Sequence, residues 1–325
     1  MNGETFSGPE YTIRPNKTVV RKLLFEGISA VGRRMSLREH QYIGFGSHWF
    51  LDFLMAHNLL GIRSMVSIES EHPKRANFNR PLASIEVEAG LSSDVLPNLD
   101  YTSPMIIWLD YTDLFDSIAL QDIEVLAGSI AAPSIIMLTT NIDHRTLSSR
   151  SKQYREDGNG TTIDYLSKEL GLAPFIPGDI TPTALKKAKS AATFHSMMID
   201  SAMNLKFHEA GRGILPSPFF AATYADGARM LTVGYLCTKG PHHLDTDEIR
   251  LESSEAVFPS ECADVDVPRL TKREKVVVDR HLDMHSTTVN GHDVRRELNF
   301  EVPDPHLENY RRFFRHYPVF AEILT

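Results

Sequence analysis

The sequence predicts an α/β fold in which a doubly wound, mostly parallel sheet ends in a C-terminal antiparallel hairpin and is followed by a small helical module. Continuous apolar runs, of which 104–110 and 133–138 are the clearest, indicate strands covered on both faces. Helical stretches between these runs indicate right-handed crossovers between parallel strands. Asp226-Gly227 between two apolar segments is typical of a type I′ turn and predicts the antiparallel pair.

The 325 residues divide into four predicted segments. Residues 1–39 form an N-terminal helical segment, and Pro15 suits the first turn of its helix. Residues 40–240 form a Rossmann-like domain. Residues 241–265 form an acidic connection, since 239–266 holds eight acids against two bases. Residues 266–325 form the helical C-terminal module, which opens with the capping-box pattern of Thr271 and Glu274.

Within the Rossmann-like domain the elements follow from hydrophobic periodicity. The strands are predicted near 40–45, 63–69, 83–87, 104–110 and 133–138. An apolar helix follows the first strand and ends at Gly61, the expected left-handed cap. The polar stretch 148–160 is predicted to be an exposed loop, and 181–205 a helix before the hairpin.

The composition restricts the binding partners and the cellular location that we expect for this protein. The longest apolar runs are much shorter than the ~20 residues that cross a bilayer, and the N-terminus lacks the pattern of a secretory signal. We therefore expect a cytoplasmic protein without membrane contact. A net charge of −8 disfavours polyanions, so nucleic acid is not a favoured partner. The two cysteines are too few for a disulfide scaffold.

The sharpest cluster of candidate ligand-binding residues starts at the first strand. Gly44 and Gly46 end this strand and a helix follows, while Glu69 ends the next strand. Glycines let the backbone approach a ligand closely, and a carboxylate at a strand end can accept both hydroxyls of a ribose. Ser47 follows the glycines and is counted with them as cofactor-binding. Trp49 replaces the third glycine of a dinucleotide motif, which disfavours NAD and FAD.

Residues 40–140 resemble the class I S-adenosylmethionine methyltransferases, whose motifs they match in order. Gly44 and Gly46 match the family's strand-1 glycine motif, Glu69 its ribose acid, 89–96 its third region and 109–113 its catalytic-side motif. Two positions depart from the pattern. Tyr42 stands where the first motif usually has an acid, and Leu91 where an adenine-contacting Asp often falls. The resemblance implies S-adenosylmethionine as cofactor.

Four residues are predicted to act on the acceptor side of this site. Asp110 and Asp113 follow a central strand at the edge where open α/β sheets place their sites, so either is the candidate catalytic base. Tyr111 and Arg14 are the candidate substrate-binding residues. The alternatives are structural: Asp113 caps the next helix, Tyr111 is packed, and Arg14 is simply exposed.

Glu69 has a structural alternative as well, because it could cap the next segment or pair with a nearby base on the surface. We expect no metal site. His48 and His57 fall on opposite faces of one predicted helix, and His242-His243 lacks a fixed third ligand.

Two functions follow from these predictions. The first is methyl transfer from S-adenosylmethionine to an unidentified oxygen or nitrogen acceptor. The second is a methyltransferase-like scaffold that has lost catalysis and senses a nucleotide or binds a protein partner through the C-terminal module. The departures at Tyr42 and Leu91 favour the second.

Overall fold

The computed structural model describes residues 14–46, 48–178, 180–240, 262–282 and 291–318. The chain divides into two compact units. The smaller comprises Met1–Leu23, Tyr224–Asp226 and Asp264–Thr325, and the larger comprises Leu24–Thr223 and Gly227–Ala263. The four-segment division predicted above stays a prediction, and most of its acidic connection lies outside the described residues.

Eight strands form one sheet in the order β3-β2-β1-β4-β5-β7-β6-β8. The strands are β1 Gln41–Phe45, β2 Ser64–Glu69, β3 Ile85–Ala89, β4 Pro104–Asp110, β5 Ala131–Asn141, β6 Ile214–Ala225, β7 Arg229–Lys239 and β8 Ala263–Val265. Neighbouring pairs among β1 to β5 are parallel, whereas β7 runs antiparallel to β5. This arrangement confirms the predicted fold class, and β8 is a strand that the sequence pattern did not indicate.

The described α-helices lie before, between and after these strands. They are α1 Pro15–Val31, α2 Leu51–Leu60, α3 Pro73–Asn79, α4 Ser92–Val95, α5 Ser117–Ser129, α6 His144–Arg150, α7 Lys152–Glu156, α8 Thr162–Asp164, α9 Ala188–Glu209, α10 Lys272–Arg280, α11 Gly291–Leu298 and α12 Asp304–Phe313. Three predicted terminal signals are confirmed. Pro15 begins α1, Gly61 caps α2 with φ of 72°, and Thr271 and Glu274 form a capping box on α10.

The prediction of a loop at 148–160 is wrong, because α6 and α7 occupy much of it. Asp143 caps α6 by accepting a hydrogen bond from the N–H of Arg145 at 2.8 Å. Leu147 and Tyr154 are buried on these short helices while their polar neighbours face solvent. A few well-placed apolar side chains and one cap are therefore enough to order a mostly polar segment.

The core of the larger unit fills both faces of the sheet. On one face, apolar residues of β4 and β5 such as Ile107 and Ile136 pack with α5 and α9 in one buried cluster. Elsewhere in this unit, aromatic rings connect β1 with its neighbouring helices, since Tyr42 contacts Phe25 of α1 and Phe53 of α2 at centroid distances of 6.4 and 5.0 Å. Strands buried in this way need continuous apolar runs, as the sequence predicted.

The connection between β6 and β7 is a hairpin, but its predicted type I′ turn is wrong. Three residues, 226–228, separate the strands, and Gly227 does not adopt the positive φ that a type I′ turn requires. Asp226 instead accepts hydrogen bonds from the N–H groups of Asn16 and Lys17 at 3.2 and 2.8 Å. These donors belong to the first turn of α1, so the carboxylate caps that helix.

No helix in the described ranges is both long and apolar enough to cross a bilayer.

Candidate functional site

Gly44, Gly46 and Glu69 lie where the sheet changes its direction of winding. β1 pairs with β2 on one side and with β4 on the other, so the carboxyl ends of the three strands share one edge. Open α/β sheets bind ligands at this switch point, because the connections on its two sides leave toward opposite faces and open a crevice. Gly46, Glu69 and Asp110 all lie at this edge.

Gly46 lies directly against Glu69. The N–H of Gly46 donates to the carbonyl oxygen of Ile68 at 2.6 Å. A side-chain carbon added to Gly46 would lie 2.7 Å from Glu69 Oε2 and 3.0 Å from Ser67 Oγ, so the Glu69 side chain would have to shift to admit it. Glycine at position 46 is therefore what allows the carboxylate to lie beside the backbone that follows β1.

The carboxylate of Glu69 is held in place by the turn after β2. Its Oε1 accepts hydrogen bonds from the N–H groups of Glu71 and His72 at 3.0 and 3.2 Å. Glu69 therefore stabilises the turn between β2 and α3. One carboxylate oxygen fixes the turn before α3, while the other is directed at Gly46. The same side chain can stabilise the turn and accept hydrogen bonds from a ligand, because a carboxylate has about four lone-pair positions.

Gly44 lies against a different carboxylate, which the sequence analysis missed. A carbon added to Gly44 would lie 3.2 Å from Oδ2 of Asp52 and 3.2 Å from Cε1 of Tyr42. The Tyr42 hydroxyl donates to that same Asp52 oxygen at 2.7 Å. Asp52 is the only acid of the apolar helix α2, and this isolation was the signal in the sequence.

Two imidazoles lie close to this pair of strand ends. The rings of His48 and His72 have centroids 5.8 Å apart, and each Nδ1 is buried without a hydrogen-bond partner. Burial lowers the pKa of His48, and the nearby Arg75 lowers it further. Among the described residues no group of three His, Cys, Asp or Glu side chains is arranged to hold a metal ion.

Tyr111 is packed and hydrogen-bonded, as its structural alternative predicted. Its ring lies edge-on to Phe45 with centroids 5.2 Å apart, and its hydroxyl donates to Asp122 Oδ2 at 2.7 Å. Asp122 is a fully buried residue of α5 that the sequence analysis did not select. Burial raises the pKa of both groups. The Asp122 carboxylate raises the pKa of Tyr111 further, whereas the hydrogen bonds from Ser92 and Tyr111 lower the pKa of Asp122.

The two acids predicted as catalytic differ in their surroundings. Asp113 forms an ion pair with Arg150, and its Oδ1 also accepts the N–H of Leu114 at 2.9 Å. It does not cap α5, because Asp116 does so through the N–H groups at 118 and 119. Asp110 is the half-buried last residue of β4 and lies opposite Thr139 of β5.

The remaining predicted residues keep their status as predictions. Arg14 belongs to the smaller unit and precedes α1, where its carbonyl oxygen accepts the N–H of Thr18 at 3.0 Å. Ser47 lies outside the described residues.

The fold and the order of the strands in the sheet define a Rossmann-like protein. Residues 9–325 match the model of a family described as "Putative O-methyltransferase", so the chain belongs to that family. The family match confirms the methyltransferase resemblance drawn from the motifs. No protein with a curated description matches the chain.

Solved structures of methyltransferases resemble the chain at low identity. The O-methyltransferase TomG from Streptomyces achromogenes, involved in tomaymycin synthesis and solved with SAM, is 12% identical, with a TM-score of 0.35 over 66% of this chain and 78% of TomG. An O-methyltransferase from Bacillus cereus solved in complex with SAH is 12% identical, with a TM-score of 0.34 over 70% of this chain and 84% of that one.

Proposed function

We propose that this protein transfers the methyl group of S-adenosylmethionine to an oxygen atom of an acceptor. The observation that carries the proposal is the contact between Gly46 and the carboxylate of Glu69 at the switch point of the sheet. The family to which the chain belongs favours oxygen over nitrogen as the methyl acceptor.

The residues at this edge fit the adenosyl part of such a cofactor. Gly44 and Gly46 have no side chains, so the carboxylates of Asp52 and Glu69 lie against the backbone there, and two N–H groups hold that of Glu69 in position. A fixed carboxylate binds a diol well, because its orientation costs little further entropy on binding. Gly44, Gly46, Ser47 and Glu69 are the residues that would hold the cofactor.

On the acceptor side, Asp110 is the proposed base. The sulfonium of the bound cofactor supplies a methyl group that is already strongly electrophilic, so the protein must align the acceptor and remove its proton. Asp113, which is paired with Arg150, is the proposed acceptor-orienting group. The paired rings of Phe45 and Tyr111 would form an apolar wall beside these acids. Arg14 remains the proposed contact for an acidic acceptor group.

Calorimetric titration with S-adenosylmethionine tests the cofactor assignment. We expect wild-type protein to bind it, and Glu69→Gln to bind it roughly 10-fold or more weakly, since a hydrogen bond to a charged group is lost. The amide oxygen of Gln can still accept the N–H groups of the turn, so the fold is expected to persist. Glu86→Gln, which removes an exposed acid of β3, is the matched control.

The scaffold alternative is favoured by two observed contacts. Asp113 is paired with Arg150, and the Tyr111 hydroxyl is occupied by Asp122, so two predicted reaction-side residues already have structural partners. Wild-type protein that binds the cofactor but methylates no hydroxyl-bearing acceptor would support this scaffold. A partner bound through the C-terminal helices and a cytoplasmic location both stay predictions.

A further inference from the structure

A second carboxylate lies beside the glycine pair, and the family's motif pattern does not account for it. Asp52 is in the first turn of α2, and its Oδ2 lies where a side chain on Gly44 would make close contact. Gly46 has the corresponding relation to Glu69. The two glycines therefore face two different acids, one from a helix and one from the neighbouring strand.

The hydroxyl of Tyr42 holds the carboxylate of Asp52 in position. The Tyr42 ring is fully buried and packs edge-on against Phe53, so its hydroxyl cannot turn to solvent and needs a partner inside the protein. It donates to Asp52 at 2.7 Å. Tyr42 occupies the position where the methyltransferase pattern usually has an acid. The structure thus brings a carboxylate to that part of β1 from α2 instead.

We infer that Asp52 binds the ammonium group at the amino-acid end of S-adenosylmethionine and that Tyr42 is its positioning residue. This inference rests on the proposed function. The cofactor presents a neutral diol on its ribose and a cationic ammonium on its amino-acid end, and these groups need different partners. Glu69 suits the diol at Gly46, and Asp52 supplies an anion at Gly44. A carboxylate has about four lone-pair positions, so the Tyr42 hydroxyl and a ligand ammonium can both donate to it.

A purely structural role for Asp52 is the competing explanation. A carboxylate in the first turn of a helix is stabilised by the helix dipole, which would also account for an acid at this position. That role affects the stability of α2 and makes no distinction between ligands. A pair of ligands that differ only at the amino-acid end separates the two explanations.

The experiment titrates S-adenosylhomocysteine and 5′-methylthioadenosine into wild-type protein, Asp52→Asn, Glu69→Gln and the control Glu86→Gln. The second ligand keeps the adenosyl group but has no ammonium. For Asp52→Asn we expect roughly 10- to 100-fold weaker binding of S-adenosylhomocysteine, because a charged hydrogen bond is lost, and unchanged binding of 5′-methylthioadenosine. Glu69→Gln should weaken both ligands, and Glu86→Gln neither.

Two outcomes would overturn the assignment of Asp52 while leaving the proposed function intact. In one, Asp52→Asn binds both ligands as the wild type does; in the other, it weakens both equally. Wild-type protein that binds neither ligand would remove the proposed function and this inference together. If Asp52→Asn does not fold, Tyr42→Phe gives the same test. It keeps the packed ring, and it should weaken S-adenosylhomocysteine alone.

Discussion

Tyrosine hydroxyls donate to aspartates at several places in this protein. In the described part of the chain the pairs are Tyr42–Asp52, Tyr111–Asp122, Tyr235–Asp200 and Tyr310–Asp279. In each pair the tyrosine hydroxyl obtains an acceptor and the carboxylate obtains a donor. The Tyr111–Asp122 pair matters most for the candidate site, because the same tyrosine ring packs against Phe45 at the end of β1.

Replacing Tyr111 by Phe should destabilise the fold in a pH-dependent way. The Asp122 carboxylate would lose a donor inside the core, at a cost of about 1–3 kcal/mol. Burial raises the pKa of Asp122 in the folded protein above its ordinary 3.8. The free energy of unfolding therefore falls as the pH rises from 3.8 to the folded-state pKa. The Tyr111 hydrogen bond opposes that rise. Losing this hydrogen bond raises the folded-state pKa of Asp122 further, so the destabilisation should be larger near pH ~8 than near pH ~4.

Urea unfolding of Tyr111→Phe at both pH values measures this effect. Tyr154→Phe is the matched control, because Tyr154 is also buried but its hydroxyl makes no hydrogen bond to Asp122. Equal losses of stability at the two pH values would mean that Asp122 is not the group that responds.

Residue type and position alone were sufficient to select Glu69 but not Asp52 or Asp122. Glu69 ends a strand, and strand ends in a parallel sheet share an edge, so its place near Gly46 follows from the topology. Asp52 and Asp122 come from helices, and their partners lie 10 and 11 residues away along the chain. Such contacts depend on the rotation of each helix over the sheet, which hydrophobic periodicity fixes only roughly.

At the scale of elements, the hairpin between β6 and β7 also stabilises the N-terminus of α1. Asp226 caps the first turn of α1 from more than 200 residues away, since its partners are Asn16 and Lys17 at sequence separations of 210 and 209. Asn16 adds a hydrogen bond from its Nδ2 to the carbonyl oxygen of Ala225 at 3.0 Å. The helix start and the hairpin are therefore ordered together.

Asp226→Ala should lower the free energy of unfolding by about 1 kcal/mol, the usual cost of a lost N-terminal cap. Asp226→Asn keeps an acceptor and should restore most of that loss. Both are measured by urea unfolding beside Glu86→Ala, in which an exposed acid is removed. If Asp226→Ala and Glu86→Ala were equally stable, the cap would contribute nothing.

The elements themselves were predictable where one physical signal dominated. Continuous apolar runs located β4 and β5, and glycine, proline and capping-box signals located the ends of helices. The turn at Asp226-Gly227 was assigned wrongly because the Asp carboxylate binds a distant helix rather than shaping its own turn. The helices at 144–156 were missed because their sequence is mostly polar, and Leu147 and Tyr154 are the buried residues on them.

At the scale of the whole molecule, the family match spans residues 9–325 and so includes both compact units. The glycines, the acids and the reaction-side residues Asp110 and Tyr111 all belong to the larger unit. Arg14 and the helices α10 to α12 belong to the smaller one, where the sequence predicted an acceptor contact and a partner surface. The cofactor assignment therefore depends on the larger unit alone.

Native mass spectrometry with S-adenosylhomocysteine tests that assignment most directly. Gly46→Ala adds a carbon that would lie 2.7 Å from Glu69 Oε2, whereas the matched variant Gly128→Ala adds one with no atom within 4 Å. Wild-type protein and Gly128→Ala should both carry one bound ligand, and Gly46→Ala should carry none. A wild-type spectrum without the adduct, or the same adduct on all three proteins, would contradict a cofactor site at Gly46 and Glu69.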